Sequence, residues 1–461
     1  MSVQVYNTLS RQKETFEPMV PGKVGMYVCG LTIYDHCHLG HARMLTAFDV
    51  IARHLASEGY DVTYVRNITD IDDKIIDRAA ENGESVPELT ARFTASMHKD
   101  CDDLGLLRPT IEPTATGSID EIIAMIATLV EKGYAYQGSN GDVFYAVKKF
   151  DGYGKLSGKN IEDLQVGARI DVEEAKRDPL DFVLWKAAKP GEPKWDSPWG
   201  DGRPGWHIEC SAMSTTHLGN EFDIHGGGMD LQFPHHENEI AQTCAATDQN
   251  FARYWMHNGF VQVDNEKMSK SLGNFFTIQE IFKVYKPEEV RLFLISAHYR
   301  KPINFSDGEL NQARTNLTRL YLTLRDLPEA ELPGDEPYTE RFRTAMNDDF
   351  NTALALAVIY DVARETNVAR EKGELDRAAG LGAVLKSLGA RLNILQMDPE
   401  EQLRGESGDG PDAEEIDALV AQRIDAKASK DWALADKIRD DLGELGIVLE
   451  DSGSSTTWRR R

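Results

Sequence analysis

The sequence has no hydrophobic stretch that could cross a membrane. Its longest unbroken apolar run extends from Ala353 to Tyr360, whereas a transmembrane helix needs about 20 apolar residues. Residues 1–18 contain no apolar segment of the kind found in secretory signals. We therefore predict a cytoplasmic protein with no membrane partner.

Positive charge and cysteine are also scarce. Lys and Arg number 51 and Asp and Glu number 76, so the formal net charge is −25. This charge excludes a protein that coats nucleic acid through its overall charge, but it allows a nucleic-acid partner on a local basic face. The 5 cysteines are an odd number in a chain of 461 residues. They argue against a disulfide framework and favour free thiols or a few metal-binding thiolates.

The first half of the chain alternates strand-like and helix-like segments. The apolar run Met26–Cys29 predicts a buried strand that ends at Gly30, and a helix is expected from about residue 41 to residue 57. A second strand-like run follows at Val62–Val65. This βαβ pattern predicts an α/β fold with a doubly wound, Rossmann-like parallel sheet.

Composition divides the chain further, and its length corresponds to about three domains. A Gly-, Pro- and Trp-rich stretch at about 110–204 predicts an insertion in a sheet domain at 1–265. A further strand begins at Phe222 and leads into three glycines. Polar linkers lie at 327–337 and 397–412, and we expect the second to be flexible. The remaining segments are predicted as connecting helices at 266–326, an α-helical bundle at 338–396 and a small α-rich C-terminal domain at 411–461.

Two short motifs contain residue types suited to phosphate chemistry. The first, HLGH at 38–41, follows the first strand and begins its helix, and helix N-termini at the carboxyl edge of a parallel sheet attract phosphate. The second, KMSKS at 267–271, is a basic loop whose lysines can neutralise charge on a transferring phosphate. Taken singly, loop histidines without a role and a solvated surface turn remain open alternatives.

A third candidate site contains metal-binding residue types. Cys29 closes the first strand, Cys210 lies in the segment GWHIECS, and His235 and Glu239 are four residues apart on one helical face. Two Cys, one His and one Glu can form a tetrahedral zinc site. From residue types alone, two buried structural cysteines and a surface His/Glu pair are the simpler interpretation.

Together, the first two motifs resemble the HIGH and KMSKS signatures of class I aminoacyl-tRNA synthetases. Leu39 replaces isoleucine, and the order and separation of about 225 residues fit that class. Five further segments narrow the resemblance to bacterial cysteinyl-tRNA synthetases over essentially the whole chain. These segments are MYVCG (26–30), RNITDIDDK (66–74), GRPGWHIECSAM (202–213), FDIHGGGMDL (222–231) and FPHHENEIAQ (233–242).

The resemblance implies roles for individual residues. One Zn²⁺ per chain would bind the substrate thiol and would be held by Cys29, Cys210, His235 and Glu239. The cysteine pocket would be lined by Gly30, Thr69, Trp206 and His225. ATP would be bound by His38, Gly40, His41, Gly228, Asp230, Lys267, Ser269 and Lys270, and the catalytic side chains would be His38, His41, Lys267 and Lys270. The C-terminal domain would bind tRNA through Trp432, Trp458, Arg459 and Arg460.

The implied activity is the ATP-dependent ligation of L-cysteine to cysteine tRNA through a cysteinyl-adenylate. The implied protein is a monomer that uses Mg²⁺ with ATP and selects cysteine over serine through zinc. Two alternatives stay open, namely a mycothiol-pathway ligase that joins cysteine to a glucosaminyl-inositol amine and a non-catalytic tRNA-binding paralogue. A zinc hydrolase is disfavoured, because two thiolates and a carboxylate make the ion a weak Lewis acid.

Two smaller features have simple structural explanations. The acidic segment 69–73 has ligands suited to Mg²⁺, but a capping box formed by Thr69 and Asp72 at the start of a helix is the simpler interpretation. Cys37, Cys101 and Cys244 match no ligand position of the family, and we expect them to be structural.

Overall fold

The computed structural model describes residues 2–160, 175–263, 266–267, 275–405, 410–452 and 455–460. It divides into two compact units. The first comprises Met1–Asn311 with Glu340–Leu356, and the second comprises Gln312–Thr339 with Ala357–Arg461. Within the described part of the chain, every helix is too short or too polar to cross a membrane.

The first unit is an α/β structure. Its strands are Gln4–Asn7 (β1), Gln12–Thr15 (β2), Lys23–Thr32 (β3), Asp61–Thr69 (β4), Ala135–Gln137 (β5), Val143–Tyr145 (β6), Phe182–Ala187 (β7), Gly202–Pro204 (β8), Phe222–Gly228 (β9), Ala252–Asn258 (β10), Val261–Val263 (β11), Glu266–Lys267 (β12) and Ile303–Phe305 (β13). Its helices are Leu39–Ser57 (α1), Asp73–Asn82 (α2), Val86–Asp103 (α3), Ile119–Glu131 (α4), Trp206–Leu218 (α5), His235–Thr247 (α6), Ile278–Phe282 (α7) and Pro287–Ile295 (α8).

The central sheet has four parallel strands in the order β10-β9-β3-β4. The chain therefore builds the sheet outward in both directions from the β3/β9 boundary, as a doubly wound fold does. This confirms the predicted fold class. The prediction that the first strand ends at Gly30 was wrong, because β3 continues to Thr32 after a register shift between Val28 and Leu31.

Two glycines of the sheet allow close approach of neighbouring groups. A Cβ on Gly30 would lie 1.6 Å from the backbone oxygen of Asn67, and a Cβ on Gly226 would lie 2.2 Å from Cε1 of Phe48 in α1. The three glycines beginning at Gly226 lie within β9, so the expectation that they follow the strand was wrong. A side chain at either position would push its neighbours away from the carboxyl edge of the sheet.

Helix α1 begins two residues earlier than predicted, at Leu39. His38 is its N-cap, because the His38 side chain accepts a hydrogen bond from the backbone N–H of His41. One side of the helix is apolar and packs on the sheet through buried residues such as Leu45, Phe48 and Ile51. The cap thereby fixes both motif histidines at the helix start.

The chain between β4 and β9 contains a second, antiparallel sheet in the order β5-β6-β7-β8. Ile122 and Ile126 of α4 share one hydrophobic core with Tyr145 and Trp185 of this sheet. The same core includes Ile208 of α5. It therefore connects this antiparallel sheet to the helix that contains Cys210.

The second unit is mainly helical. Three helices contribute to both units, namely Asp307–Leu324 (α9), Tyr338–Asn347 (α10) and Thr352–Glu371 (α11). The second unit continues with Leu375–Arg391 (α12), Pro399–Arg404 (α13), Ala413–Ala428 (α14), Trp432–Glu444 (α15), Ile447–Ser452 (β14) and Ser455–Arg460 (β15). The linker expected to be flexible includes α13. The C-terminal domain predicted to be α-rich also contains a hairpin, in which β14 pairs with β15.

Candidate active site

Four side chains converge beneath the carboxyl edge of the central sheet. Cys29 comes from β3, Cys210 from α5, and His235 and Glu239 from successive turns of α6. Each is at most 2% exposed. Because α5 and α6 pack against each other and α5 packs on β3, the fold unites residues that lie far apart in the sequence.

The distances within this cluster fit one tetrahedral metal ion. Two sulfurs bound at about 2.3 Å to such an ion lie about 3.8 Å apart, and Sγ of Cys29 lies 3.7 Å from Sγ of Cys210. Oε1 of Glu239 lies 3.4 Å from Sγ of Cys29 and 3.1 Å from Nε2 of His235. The buried cluster could therefore hold a metal ion.

A second set of possible ligands overlaps with the first. It shares Cys29 and Glu239 with the first set and adds His225 and His236, all with ligand atoms within 4.8 Å of one another. Nε2 of His225 lies 3.5 Å from Sγ of Cys29, and Nε2 of His236 has no hydrogen-bond partner among the described residues. The sequence did not predict His236 as a candidate ligand, although it lies in the quoted segment FPHHENEIAQ.

Burial controls the protonation of this cluster. It raises the pKa of the Cys29 thiol well above its usual 9.0 and lowers the pKa of His235 well below its usual 6.5. A neutral imidazole is the form that binds a metal, whereas a thiolate at Cys29 needs a cation beside it. The chemistry of the cluster thus favours a bound cation.

Further histidines contact the cluster and orient its imidazoles. Nδ1 of His207 lies 2.9 Å from Nδ1 of His235, and Nδ1 of His236 lies 2.8 Å from Nε2 of His257. Burial lowers the pKa of His207 to about 4 and that of His257 to about 3, so both are neutral at pH 7. Neutral second imidazoles of this kind fix the ring orientation of metal ligands. The sequence-based prediction missed both residues.

A cavity of about 260 Å³ lies beside the cluster. It brings together many of the predicted site residues, namely Cys29, Gly30, His38, Gly40, His41, Trp206, Gly228 and Asp230. The Trp206 ring is partly exposed and lies 4.3 Å, centroid to centroid, from the ring of His235. Residues that the prediction missed also line the cavity, among them Tyr34, Lys74 and Asn258.

The other two predicted cysteine-pocket residues are buried behind this cavity. Thr69 donates its hydroxyl proton to Oε2 of Glu209 at 2.9 Å and accepts from Nδ2 of Asn67 at 3.3 Å. His225 is fully buried between Cys29 and the ring of Trp255, whose centroid lies 4.4 Å away. Neither Glu209 nor Asn67 was predicted.

The two phosphate motifs differ in how much the structure describes. The rings of His38 and His41 stack at 3.5 Å between centroids at the start of α1, at the edge of the cavity. Lys267 lies in β12, paired with Gln262 of β11. Ser269 and Lys270 lie outside the described residues. The roles of Lys267, Ser269 and Lys270 stay predictions.

The acidic segment 69–73 does not form the capping box predicted for Thr69 and Asp72. Asp72 alone caps α2, accepting from the backbone N–H of Lys74 at 3.0 Å, while Thr69 belongs to β4. Asp70 accepts from the backbone N–H of Thr116 at 2.9 Å, and Asp73 forms ion pairs with Lys186 and Arg203. Each carboxylate is thus bound to a different partner.

The predicted tRNA contacts fall into two groups. Trp432 is 58% exposed at the start of α15, whereas Trp458 is 1% exposed in a core with Ile416 and Leu442. Nε1 of Trp458 donates to Oδ1 of Asp417 at 2.6 Å. A buried ring has no free face for a base, so this burial contradicts the prediction that Trp458 binds tRNA.

The two arginines of this segment remain near the surface and contact the second unit itself. Nε of Arg459 pairs with Glu450 at 3.0 Å, and Nη2 of Arg460 donates to the carbonyl of Pro411 at 2.7 Å. Both contacts hold the hairpin. RNA binding by either guanidinium stays a prediction.

Comparison with known proteins identifies the class. A family model described as "tRNA synthetases class I (C) catalytic domain" matches residues 15–315. A methionyl-tRNA synthetase from Mycobacterium tuberculosis, solved with methionyl-adenylate, superposes with a TM-score of 0.57 at 15% identity over 82% of this chain and 91% of that one. A leucyl enzyme from Agrobacterium radiobacter, solved in a ternary complex with tRNA, gives 0.56 at 13% identity over 84% and 85%. The sheet and its cleft are those of a class I aminoacyl-tRNA synthetase.

Curated relatives narrow this class to one family. The "Cysteine--tRNA ligase" of Thioalkalivibrio sulfidiphilus is 61% identical over 99% of this chain and 100% of its own, and that of Methylococcus capsulatus is 59% identical over the same shares. Further family models match at 341–396, a "DALR domain", and at 412–459, a "Cysteinyl-tRNA ligase anticodon binding domain". The chain belongs to the cysteine–tRNA ligase family, which confirms the predicted resemblance.

Proposed function

We propose that the protein joins L-cysteine to cysteine tRNA in two steps. The cysteine carboxylate attacks the α-phosphate of ATP to form cysteinyl-adenylate and release pyrophosphate, and the cysteinyl group then passes to the terminal ribose of the tRNA. The observation that carries this proposal is the convergence of Cys29, Cys210, His235 and Glu239 beside the HLGH cavity. A thiol-binding centre next to a nucleotide cleft is what cysteine activation requires.

The metal in this proposal is zinc, held by Cys29, Cys210, His235 and Glu239. Two sulfurs, one imidazole and one carboxylate are soft-to-borderline donors, and their spacing fits tetrahedral zinc. Zinc in this position would supply a cation that binds a thiolate better than an alcohol, and it would therefore favour cysteine over serine. The chain's own part is to exclude water, since all four ligands are buried.

The remaining pocket residues position the two small substrates. His38, Gly40 and His41 bind the ATP phosphates at the start of α1, where backbone N–H groups favour anions. Gly228 and Asp230 bind the ribose, and the loop residues Lys267, Ser269 and Lys270 bind the phosphates of ATP, which enters with Mg²⁺. The cysteine contacts are Gly30, Thr69, Trp206 and His225. Rate enhancement comes from positioning and charge stabilisation.

The tRNA is bound by the C-terminal part of the chain. Trp432, Arg459 and Arg460 contact unstacked anticodon bases and the RNA backbone, which suits aromatic and guanidinium groups. The proposed domains are a catalytic domain at 1–265 with its insertion, connecting helices at 266–326, a helical bundle at 338–396 and an anticodon-binding domain at 411–461. The enzyme acts as a cytoplasmic monomer.

The test is a pair of assays on the full-length protein and on a truncation after Gln396. Cysteine-dependent exchange of pyrophosphate into ATP should be present in both, and serine should not support it. Charging of purified cysteine tRNA should be present only in the full-length protein. Exchange without charging, together with ligation to a glucosaminyl-inositol amine, would instead support the mycothiol-pathway alternative, which the match at 412–459 disfavours.

A further inference from the structure

One cationic side chain lines the cavity but has no role in the proposed activation of cysteine. Lys74 lies in the first turn of α2, directly after β4, and lines the cavity that contains Cys29 and the HLGH motif. It is the only lysine or arginine among the described lining residues. Its Nζ lies 5.7 Å from the ring centroid of Tyr34, which also lines the cavity.

Among the described residues, the acidic side chains next to Lys74 in the sequence form no ion pair with it. Asp70 is bound to Thr116, Asp72 caps the backbone of α2, and Asp73 pairs with Lys186 and Arg203. Within the described ranges, Lys74 forms no ion pair. An ammonium group that faces a cavity without a carboxylate partner is available for an anionic ligand.

The neighbouring residue Asp73 fixes the direction of Lys74. Lys186 of β7 and Arg203 of β8 both bind Asp73, and they tie the start of α2 to the antiparallel sheet. Successive residues of a helix point about 100° apart. When Asp73 is directed toward that sheet, Lys74 is therefore directed elsewhere, and the structure places it at the cavity.

The strand order indicates which anion Lys74 binds. Across the sheet, Asn258 ends β10, Gly228 ends β9, Cys29 lies in β3, and Lys74 follows β4. In the proposed function, the nucleotide occupies the β9–β10 side and cysteine the β3 position. The adenylate therefore blocks one end of the cavity, and the tRNA has to enter from the other end, where Lys74 and Tyr34 lie.

We propose that Lys74 and Tyr34 bind the 3′-terminal nucleotide of the tRNA. The Lys74 ammonium contacts the phosphate that joins the last two nucleotides, and the Tyr34 ring stacks on the terminal base. Proteins commonly bind single-stranded RNA in this way, with cationic side chains on the phosphates and aromatic rings on the bases. This inference rests on the proposed function and assigns two residues to its second step. Lys74 is then a substrate-binding residue for transfer and not for activation.

The experiment compares full-length Lys74→Met with the wild-type protein in each step separately. Cysteine-dependent pyrophosphate exchange should stay within about twofold of wild type, whereas single-turnover transfer from preformed adenylate to subsaturating tRNA should fall about tenfold or more. Lys74→Arg should restore most of the transfer rate. Lys99→Met, which removes an exposed lysine of α3, is the control and should leave both steps unchanged.

A parallel loss of exchange and transfer would overturn the inference, because it would place Lys74 on ATP or on the cysteine carboxylate. An unchanged transfer rate would also overturn it. If the wild-type protein itself shows no exchange with cysteine, the proposed function fails and this inference fails with it. That outcome differs from a loss of exchange in Lys74→Met alone, which overturns only the role of Lys74.

A binding measurement gives a second readout that a merely structural role would not change. Affinity for cysteine tRNA is compared with affinity for the same tRNA lacking its last nucleotide, for wild type and for Lys74→Met. Removal of the nucleotide should weaken binding several-fold in wild type and by clearly less in the variant, because Lys74→Met has already deleted one of the two contacts that the nucleotide makes. Equal weakening in both proteins would contradict the assignment.

Discussion

The metal centre and the C-terminal module, defined here as residues 413–452 and 455–460, place their ionisable groups differently. The metal centre buries Cys29, Cys210, His235 and Glu239 beside one another, whereas the C-terminal module keeps ion pairs near its surface around a core that contains Trp458. Buried ionisable groups are costly unless a charged partner is present, and exposed ion pairs contribute only about 0–1 kcal/mol each. The first region therefore favours a bound cation, and the second depends on its apolar core.

The largest expected effect comes from removing one sulfur ligand. Cys210→Ala should lower the zinc content far below one equivalent, because it removes one of the two thiolate ligands and the negative charge that this ligand contributes. Cysteine-dependent exchange should fall by about 100-fold or more. Elemental analysis and the exchange assay measure the two quantities on the same preparation.

Cys244→Ser is the matched control for this change. Cys244 lies on α6, the same helix as His235 and Glu239, but it is half-buried and belongs to neither ligand set. Full zinc content and activity are expected in the control. A Cys210→Ala protein that keeps a full equivalent of zinc would show that a different set of side chains holds the ion.

A second prediction separates the two overlapping ligand sets. His235→Asn should lose the metal, whereas His236→Asn should keep it with an affinity lowered by at most about 10- to 100-fold, as is typical of groups that only support a ligand. Competition with a chelator measures both affinities. The reverse pattern would place the ion in the second ligand set, with His225 of β9 and His236 of α6.

These ligands show how far the sequence alone could go. Cys29 and Cys210 are 181 positions apart, and residue types alone favoured structural cysteines, so the resemblance was needed to group them. The support residues His207, His236 and Glu209 were missed, because α5 and α6 have polar residues on several faces and no apolar periodicity separates their buried side from their exposed side. Their burial follows from the packing of the two helices and not from their spacing.

A third prediction contrasts the two tryptophans of the C-terminal module. Trp458→Ala should destabilise this part of the chain by about 3–5 kcal/mol, because it removes a large side chain from a closed core. Trp432→Ala should change stability by less than about 0.5 kcal/mol but should raise the KM for tRNA. Denaturant unfolding and charging kinetics measure the two effects. Equal destabilisation by both substitutions would contradict the assignment of core and surface roles.

The same pair shows why the sequence-based assignment of Trp458 was wrong. A tryptophan next to three arginines fits both a stacking platform for RNA and the centre of a small core. The segment that contains Trp458 pairs with β14 along its whole length and thereby turns Trp458 inward against α14 and α15. A single sequence with few strand-like residues did not indicate that pairing, whereas the longer β3, β4 and α1 were predictable from their apolar patterns.

The smallest expected effect tests a surface ion pair of the hairpin. Hydrogen bonds from the Arg423 guanidinium and from Thr456 hold the pKa of Asp451 well below its usual 3.8. A lowered pKa in the folded state stabilises the hairpin above about pH 4, and this contribution is lost as the pH falls through the lowered value. Because the Asp451 side chain is 42% exposed, solvent limits the effect to about 0.2–1 kcal/mol. Asp451→Asn should therefore lower the free energy of unfolding at pH 7 by that amount and should differ less from wild type as the pH falls below 4.

Asp440→Asn is the comparison, because it changes an exposed aspartate of α15 that pairs with Arg439. A larger loss of stability in Asp440→Asn than in Asp451→Asn would contradict a special role of the Arg423 contact.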